Sequence, residues 1–362
     1  MPLKKYIKNW WGNIDKWILS LSLLLISIGT LLIFSSSTYI ESKYSLLINK
    51  HLVFVPISLL TIFFISTISL RSLIIISIMS FFFFLLLSYF PLFLSVEMKG
   101  AKRWIKFLNF TIQPSEFLKP TYVIVSALLL SRFQKKKDNS FYINLLLLSL
   151  ICVALIMQPD FGMFVLIFCT WFIQLILSGI SYKFIVMMVI FGIFFTTLAY
   201  FGHDHVRFRI NNFFDKDLGD NYQINNSLEA FSNGGFFGKG IGSGIFSKKL
   251  PDVHSDFIFS LAGEELGFFF SCALIFVYSL IFYRIIINAL KINNLFIFLS
   301  VSGLSIMFIF QTIINMASTI NLIPTKGMTL PFLSYGGSSL LSCSIMIGFI
   351  LCLTRKRPKI YI

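Results

Sequence analysis

The chain has 362 residues, of which 57% are hydrophobic and only 12% are charged, and its mean hydropathy is +0.85. Soluble domains carry roughly 25% charged residues, so this composition excludes a soluble globular enzyme. The excess of 30 Lys and Arg over 15 Asp and Glu is not attributed to nucleic-acid binding, because basic residues of membrane proteins accumulate on the cytoplasmic side.

Apolar segments of membrane-spanning length recur along the chain and predict an all-α polytopic membrane protein. Lipid-exposed backbone must satisfy its own hydrogen bonds, so segments of this length are helices. The first segment is not followed by a small-residue cleavage site and is expected to remain as a span. About ten transmembrane helices are predicted, at residues 18–34, 52–70, 73–94, 117–130, 141–157, 161–177, 184–201, 257–283, 295–320 and 338–353.

Both termini are predicted to be cytoplasmic, because this orientation places sixteen of the 30 basic residues and only two of the 15 acidic residues inside. The cytoplasmic face then carries a net charge of about +14 and the outer face about +1, as the positive-inside rule requires. Residues 1–362 form a single transmembrane domain with outer loops at about 96–116, 202–256 and 321–337. The large outer loop 202–256, between spans 7 and 8, is long enough to indicate a functional role.

Three of the spans that descend from the outer face begin with an acidic residue: Glu116, Asp160 and Asp256. Helix N-termini favour negative charge, so each carboxylate could simply cap its helix. Together, however, they place three carboxylates at the outer mouth of one bundle. Ionisable groups at such a depth indicate a functional site.

The segment 250–265, at the junction between the large outer loop and a span, concentrates acidic residues, and one partly desolvated carboxylate there can act as a general base. His254 is a weaker candidate for the base, and Glu264, about two helical turns further on, is expected to be structural. No group of His and Cys residues has the spacing of metal ligands. The five cysteines lie in apolar runs and are expected to be buried thiols.

The basic residues near the outer face have more than one interpretation. Lys119 follows Glu116 by three residues, so the two side chains share a helix face and can form a local ion pair. Alternatively, Lys119 and Arg103 bind an anionic group such as a diphosphate, or the basic loop contacts lipid headgroups. Gly336 and Gly337 likewise permit either close approach of the backbone to a ligand or tight helix packing.

Four motifs resemble, in order along the chain, the signatures of the SEDS family (shape, elongation, division and sporulation), and with the spans they cover essentially the whole sequence. The motifs are Gly100-Ala101-Lys102-Arg103-Trp104 followed by Gln113-Pro114-Ser115-Glu116 and Lys119; Gln158-Pro159-Asp160-Phe161-Gly162; Leu250-Pro251, His254-Ser255-Asp256-Phe257-Ile258-Phe259 and Gly263-Glu264-Glu265-Leu266-Gly267; and Pro331-Phe332 with Ser334-Tyr335-Gly336-Gly337-Ser338-Ser339. The segment Thr325-Lys326-Gly327 resembles the sequences of the family's division members more than those of its elongation members. Asp252, where Glu is common, and Ser255, where Thr is usual, depart from the family pattern.

This resemblance implies a peptidoglycan glycosyltransferase that polymerises lipid II at the outer face of the bacterial cytoplasmic (inner) membrane, at the division septum. Asp256 corresponds to the family's catalytic aspartate and would act as the base of a single inverting displacement. Basic residues would hold the undecaprenyl diphosphate leaving group. The substrate-binding residues that the resemblance implies are Arg103, Glu116, Lys119, Asp160, Lys248, Lys249, Ser334, Gly336 and Gly337.

The implied partners are lipid II, a class B penicillin-binding protein (a transpeptidase) and other membrane proteins of the division complex, with no nucleic acid. No cofactor is identified, and a divalent cation (Mg²⁺ or Mn²⁺) is left open. The alternatives are an elongation-type polymerase for cell shape, a lipid II flippase and a scaffold. A flippase needs polar groups along the whole transmembrane path, whereas the acids cluster at the outer mouth, and a scaffold would leave Asp256 dispensable.

Overall fold

The computed structural model describes most of the chain. The described residues are 3–37, 44–93, 102–107, 110–180, 182–202, 207, 211, 222–324 and 327–355. The helices are α1 (Leu3–Asn13), α2 (Lys16–Ser37), α3 (Tyr44–Thr67), α4 (Leu70–Phe93), α5 (Pro114–Lys136), α6 (Ser140–Met157), α7 (Phe161–Leu177), α8 (Tyr182–Gly202), α9 (Tyr222–Gly234), α10 (Ile258–Leu290), α11 (Leu295–Thr319) and α12 (Gly337–Thr354). Each of the ten predicted spans overlaps one helix, namely α2 to α8 and α10 to α12.

Among the residues that the structure describes, seven helices are long and apolar enough to cross a membrane: α2, α3, α4, α6, α10, α11 and α12. The helix α7 is equally apolar but has only 17 residues. The helix α5 is less apolar because Glu116 and Lys119 lie in its first two turns. These lengths and compositions confirm a polytopic helical protein, while the number of ten spans and the orientation of the termini stay predictions.

The outer loops contain secondary structure that the apolar runs do not predict. Strands β1 (Ile105–Phe107) and β2 (Phe110–Ile112) form an antiparallel hairpin, in which Ile105 pairs with Ile112. The helix α9 lies within the predicted loop 202–256. The all-α prediction is therefore corrected by one short hairpin. Neither the three-residue strands nor the polar 13-residue helix contains an apolar run of membrane-spanning length, so hydropathy does not predict them.

The bundle is organised around α11 and α12, which are buried along most of their lengths. The helix α11 packs against α5, α7, α10 and α12, and α12 also packs against α3. The outer helices α3 and α4 expose large apolar side chains, for example Phe64 and Leu86, as expected where a helix faces lipid. This arrangement surrounds the C-terminal end of α11 with loops that carry sequence motifs.

The helix α10 is interrupted at Gly267, whose φ of +84° and ψ of −177° are not helical. A side chain at this position would be strained, because positive φ favours glycine. It would also have no room, since a Cβ on Gly267 would lie 2.4 Å from the backbone nitrogen of Gly238. The interruption therefore marks the place where the loop before α10 contacts that helix.

Candidate active site

Asp256 is half-buried at the end of the turn that leads into α10. Its backbone N–H and that of Ser255 donate to the carbonyl of Asp252, at 3.0 and 2.9 Å, so a tight turn presents the carboxylate. The N-cap of α10 is Phe257, and Asp256 therefore lies one residue before the capping position. This placement favours a role other than helix capping.

Two buried amide side chains on α11 hold the backbone around this turn. The Nδ2 of Asn315 donates to the carbonyls of Asp256 at 3.1 Å and Met328 at 2.6 Å. One turn away, the Nε2 of Gln311 donates to the carbonyl of Thr329 at 2.9 Å. The two amides thus join the loop after α11 to the turn before α10. Sequence analysis missed them, although two amides four residues apart in an apolar span are an available signal.

Gly327 lies directly beside the carboxylate of Asp256. A Cβ on this glycine would be 3.0 Å from Oδ2 of Asp256, closer than an ordinary van der Waals contact. Glycine therefore keeps space open next to one carboxylate oxygen, as an approaching hydroxyl group would require. Gly100 and Ala101 of the first motif lie outside the described residues, as do Thr325 and Lys326, which precede Gly327.

Ser334 and Tyr335 also join the loop after α11 to the turn before α10. The Oγ of Ser334 donates to the carbonyl of Ser255 and accepts a hydrogen bond from the N–H of Leu330 at 2.8 Å. The N–H of Tyr335 donates to the carbonyl of His254 at 2.8 Å. Ser334 is buried, so it holds the loops together here instead of presenting its hydroxyl to a ligand.

The two glycines that follow differ in their surroundings. A Cβ on Gly337 would lie 2.4 Å from the ring of Phe54 on α3, whereas a Cβ on Gly336 would meet only ordinary contacts at 3.4 Å. The geometry of Gly337 thus matches the helix-packing alternative.

Lys119 and Glu116 form a buried ion pair within α5. The Nζ of Lys119 is 2.7 Å from Oε2 of Glu116 and donates to Oε1 of Gln311 at 2.9 Å. The Lys119 side chain has no exposed surface, and Glu116 is nearly as buried. Of the two interpretations, the contacts match the local ion pair, because a buried ammonium group needs close acceptors to offset its desolvation. Neither side chain is available here for direct contact with a diphosphate.

Arg103 and Asp160 form a second ion pair at the edge of the site. The Nη1 of Arg103 is 3.3 Å from Oδ1 of Asp160, and Gln113 donates its Nε2 to Oδ2 at 2.9 Å. Oδ1 of Asp160 also accepts from the N–H of Met163, so Asp160 caps α7. The Arg103 side chain keeps 17% of its surface exposed, and its Nε has no hydrogen-bond partner among the described residues. The Nε is buried, so an anion can reach only the exposed part of the Arg103 side chain.

Lys248 and Lys249 are exposed on a short 3₁₀ turn, Ser247–Lys249. Glu264 holds this turn, because it accepts hydrogen bonds from the backbone N–H groups of Ile245 at 2.8 Å, Phe246 at 3.0 Å and Ser247 at 2.8 Å. It also accepts from Asn233 on α9 at 2.7 Å. Glu264 therefore has the structural role expected of it, and it positions the two lysines.

We expect Glu264→Gln to loosen the loop that carries the lysines. The NH2 group of Gln cannot accept hydrogen bonds, so the donors now bound to the oxygen that it replaces lose their partner at about 1–3 kcal/mol each. If the free energy needed to open the loop falls by about 1.4 kcal/mol, the population of the open loop rises about tenfold. Limited trypsin digestion should then cleave after Lys248 or Lys249 at least about ten times faster. Glu229→Gln, on the exposed face of α9, is the control, and equal cleavage rates in both variants would contradict this role.

Comparison with known proteins assigns the family. The family described as "Cell cycle protein", which comprises FtsW, RodA and SpoVE, matches residues 15–359. The probable peptidoglycan glycosyltransferase FtsW of Caulobacter vibrioides is 36% identical over 97% of this chain and 92% of its own length. The protein of the same name from Riesia pediculicola is 32% identical over 92% of this chain and 93% of its own length.

Two solved structures share the fold. A chain from a peptidoglycan synthase complex that coordinates polymerization and crosslinking aligns with a TM-score of 0.77 and 23% identity, covering 94% of this chain and 97% of that chain. The rod shape determining protein RodA of Thermus thermophilus aligns with a TM-score of 0.70 and 23% identity, covering 94% and 96%. The match of the family to nearly the whole chain, with relatives above 30% identity, shows that the protein belongs to the FtsW/RodA/SpoVE family of cell cycle proteins.

Proposed function

We propose that this protein is a peptidoglycan glycosyltransferase that polymerises lipid II into glycan strands during septal cell-wall synthesis. The FtsW relatives named peptidoglycan glycosyltransferases, at 36% and 32% identity over almost the whole chain, support this proposal. The observation that carries it is the placement of Asp256. Its carboxylate is half-buried beside the space left by Gly327, on a turn fixed by Asn315.

In this reaction the 4-hydroxyl group of the acceptor sugar attacks the anomeric carbon of the donor. The new glycosidic C–O bond forms as the bond to the diphosphate oxygen breaks, with inversion at the anomeric carbon. Asp256 accepts the hydroxyl proton, and the diphosphate leaves with the negative charge. One base and one anion-binding group suffice for a single displacement, so no second carboxylate nucleophile is required.

The leaving diphosphate is proposed to meet Arg103, Lys248 and Lys249. The Arg103 side chain is 17% exposed, and the two lysines are exposed on their turn. Lys119 acts indirectly in this proposal, because its ammonium is buried against Glu116 and Gln311. It supports the loop that carries Gly327 through the amide of Gln311.

The proposed setting is the bacterial inner membrane, with ten spans, both termini in the cytoplasm and the site at the outer face. Seven helices of sufficient length and apolarity support a membrane location. A class B penicillin-binding protein is the proposed partner. The fold shared with a chain of a complex that coordinates polymerization and crosslinking supports a transpeptidase partner of this kind. Other proteins of the division complex and the septal location follow from the relatives' name alone.

Cysteine labelling tests the orientation. Ser232 on α9 and Asn139 before α6 are both exposed and are predicted to lie on opposite sides of the membrane. A membrane-impermeant maleimide added to intact spheroplasts should label Ser232→Cys, and it should label Asn139→Cys only after the membrane is permeabilised. The parent chain with its five native cysteines measures the background. The reverse pattern would invert the topology and remove the site from the outer face.

The function is tested by incubating the purified protein with lipid II and a class B penicillin-binding protein whose own transpeptidase site is blocked. We expect glycan polymer, seen as a ladder after electrophoresis. Movement of fluorescent lipid II across vesicles without polymer would favour the flippase instead. Polymer formed only by the partner would favour the scaffold.

A further inference from the structure

The surroundings of α10 change at Gly267. Every residue from Ile258 to Glu265 is buried, whereas Phe268, Phe269 and Phe276 beyond the interruption are each more than half exposed. The first part of the helix is therefore enclosed by protein, and the second part has one open apolar face. An open face of this composition on a membrane helix is suited to lipid.

The loop after α9 is attached to α10 at the same level. The N–H groups of Phe268 and Phe269 donate to the carbonyls of Gly235 and Phe236, at 2.9 and 3.3 Å. In the opposite direction, Lys239 donates its backbone N–H to the carbonyl of Glu264 at 3.0 Å. These bonds satisfy irregular backbone on both sides, which is what a low-polarity environment demands. They also fix the height of the loop relative to α10.

This attachment creates a continuous apolar surface, here called the outer apolar patch. It consists of Phe236, Phe237, Ile241, Phe268 and Phe269, whose exposed fractions are 65%, 85%, 66%, 56% and 56%. The rings of Phe236 and Phe237 lie 5.8 and 5.5 Å from the ring of Phe269, centroid to centroid. Two loop phenylalanines thus extend the open face of α10 beyond the helix itself.

Helix length places the patch at the edge of the hydrocarbon. Arg284 of α10 pairs with Asp15 at 2.8 Å, so the uncharged part of the helix beyond Gly267 runs from Phe268 to Tyr283. These 16 residues span about 24 Å at a rise of about 1.5 Å per residue, and the hydrocarbon core of a bilayer is about 30 Å thick. The interruption at Gly267 therefore lies about one helical turn from one boundary of the hydrocarbon core.

We propose that the outer apolar patch inserts into the outer leaflet at the boundary between acyl chains and headgroups. The charge of the neighbouring segment fits a lipid surface with phosphate headgroups, since residues 235–251 contain Lys239, Lys248 and Lys249 and no acidic residue. Phenylalanine side chains of an interfacial segment are buried at the start of the acyl chains, and lysines beside them favour lipid phosphates. The loop thereby fixes the distance of Asp256 from the membrane surface, where a lipid-linked substrate is held.

Spin labelling tests the proposal without relying on enzyme activity. The full-length protein carries a nitroxide at Phe237→Cys or, as the matched control, at Ser232→Cys, after Cys169 and Cys272 are replaced by serine. Cys152, Cys343 and Cys352 are buried and stay unchanged. Each variant is reconstituted into vesicles of phosphatidylethanolamine and phosphatidylglycerol. Collisions of the label with oxygen report immersion in lipid, and collisions with a water-soluble nickel chelate report exposure to water.

We expect the ratio of oxygen to nickel collisions to be several-fold higher at position 237 than at position 232. Equal ratios, with the nickel chelate reaching both labels, would overturn the proposal. A label at 237 that is reached by nickel in the protein alone, and shielded only after the transpeptidase is added, would also overturn it, because the patch would then be a protein-docking surface. Phe237 is 85% exposed, so its replacement leaves the packing intact.

Discussion

Asp256→Asn should reduce lipid II polymerisation to near background while the protein stays folded and bound to its transpeptidase. The substitution keeps the shape of the side chain but removes the basic carboxylate. Loss of a general base typically lowers a rate by about 10²–10⁴-fold. The backbone contacts of the turn involve only main-chain atoms of Asp256, including its carbonyl bound to Asn315, so they survive the change. Polymer yield and recovery of the complex are measured on the same preparations.

The chain offers a matched control four residues away. Asp252 is also half-buried and belongs to the same turn. Its φ of +57° is a conformation that Asn tolerates as well as Asp. Asp252→Asn removes the same charge from the same loop and should leave polymerisation within a few-fold of the parent. Near-normal polymer from Asp256→Asn, or equal losses from both variants, would remove Asp256 from the role of base.

Lys119→Met should destabilise the protein by about 3–5 kcal/mol, because it leaves the carboxylate of Glu116 buried without a counter-charge. It also removes the donor to Oε1 of Gln311. The double variant Glu116→Gln with Lys119→Met replaces the pair by neutral groups and should recover most of the loss. The unfolding temperatures of the parent, the single variant and the double variant are measured in detergent by intrinsic fluorescence.

A surface pair at the end of the same helix provides the control. Arg132 of α5 lies 2.6 Å from Asp138, which follows the helix, and the two side chains are 59% and 28% exposed, so Arg132→Met should change the unfolding temperature little or not at all. Unchanged stability in Lys119→Met would mean that the pair is not buried as described. Charge reversal at Lys119 is a poor test of substrate binding, since it would place two carboxylates side by side, and Arg103 is the better position for that test.

Apolar runs predict the helices of this fold well, because each span is an uninterrupted stretch that only a helix can satisfy in lipid. Asp256 and Asp160 could be singled out because a charge at the start of such a stretch is conspicuous. Whether Lys119 binds a ligand or Glu116 could not be decided from spacing alone. The deciding partner is Gln311, which is 192 residues away.

The loops were predictable in position but not in structure. The hairpin at 105–112, the helix α9 and the docking of Gly235–Gly240 on α10 all depend on contacts made after the helices assemble. The carboxylate of Glu264 binds backbone groups of residues 245–247, and Ser35 on α2 donates to Glu265. Such contacts leave no periodic pattern in the sequence, because each involves one side chain and distant backbone.

The positions of Gln311 and Asn315 on α11 fix the distance between two parts of the site. Gln311 contacts the buried ion pair and Asn315 contacts the turn of Asp256, and the two residues lie about one turn of helix apart. A single inserted residue between the two would rotate one amide by about 100° and shift it by about 1.5 Å. A residue inserted or deleted between Gln311 and Asn315 would therefore separate the buried ion pair from the turn of Asp256, so this part of α11 must keep its residue count for the site to form.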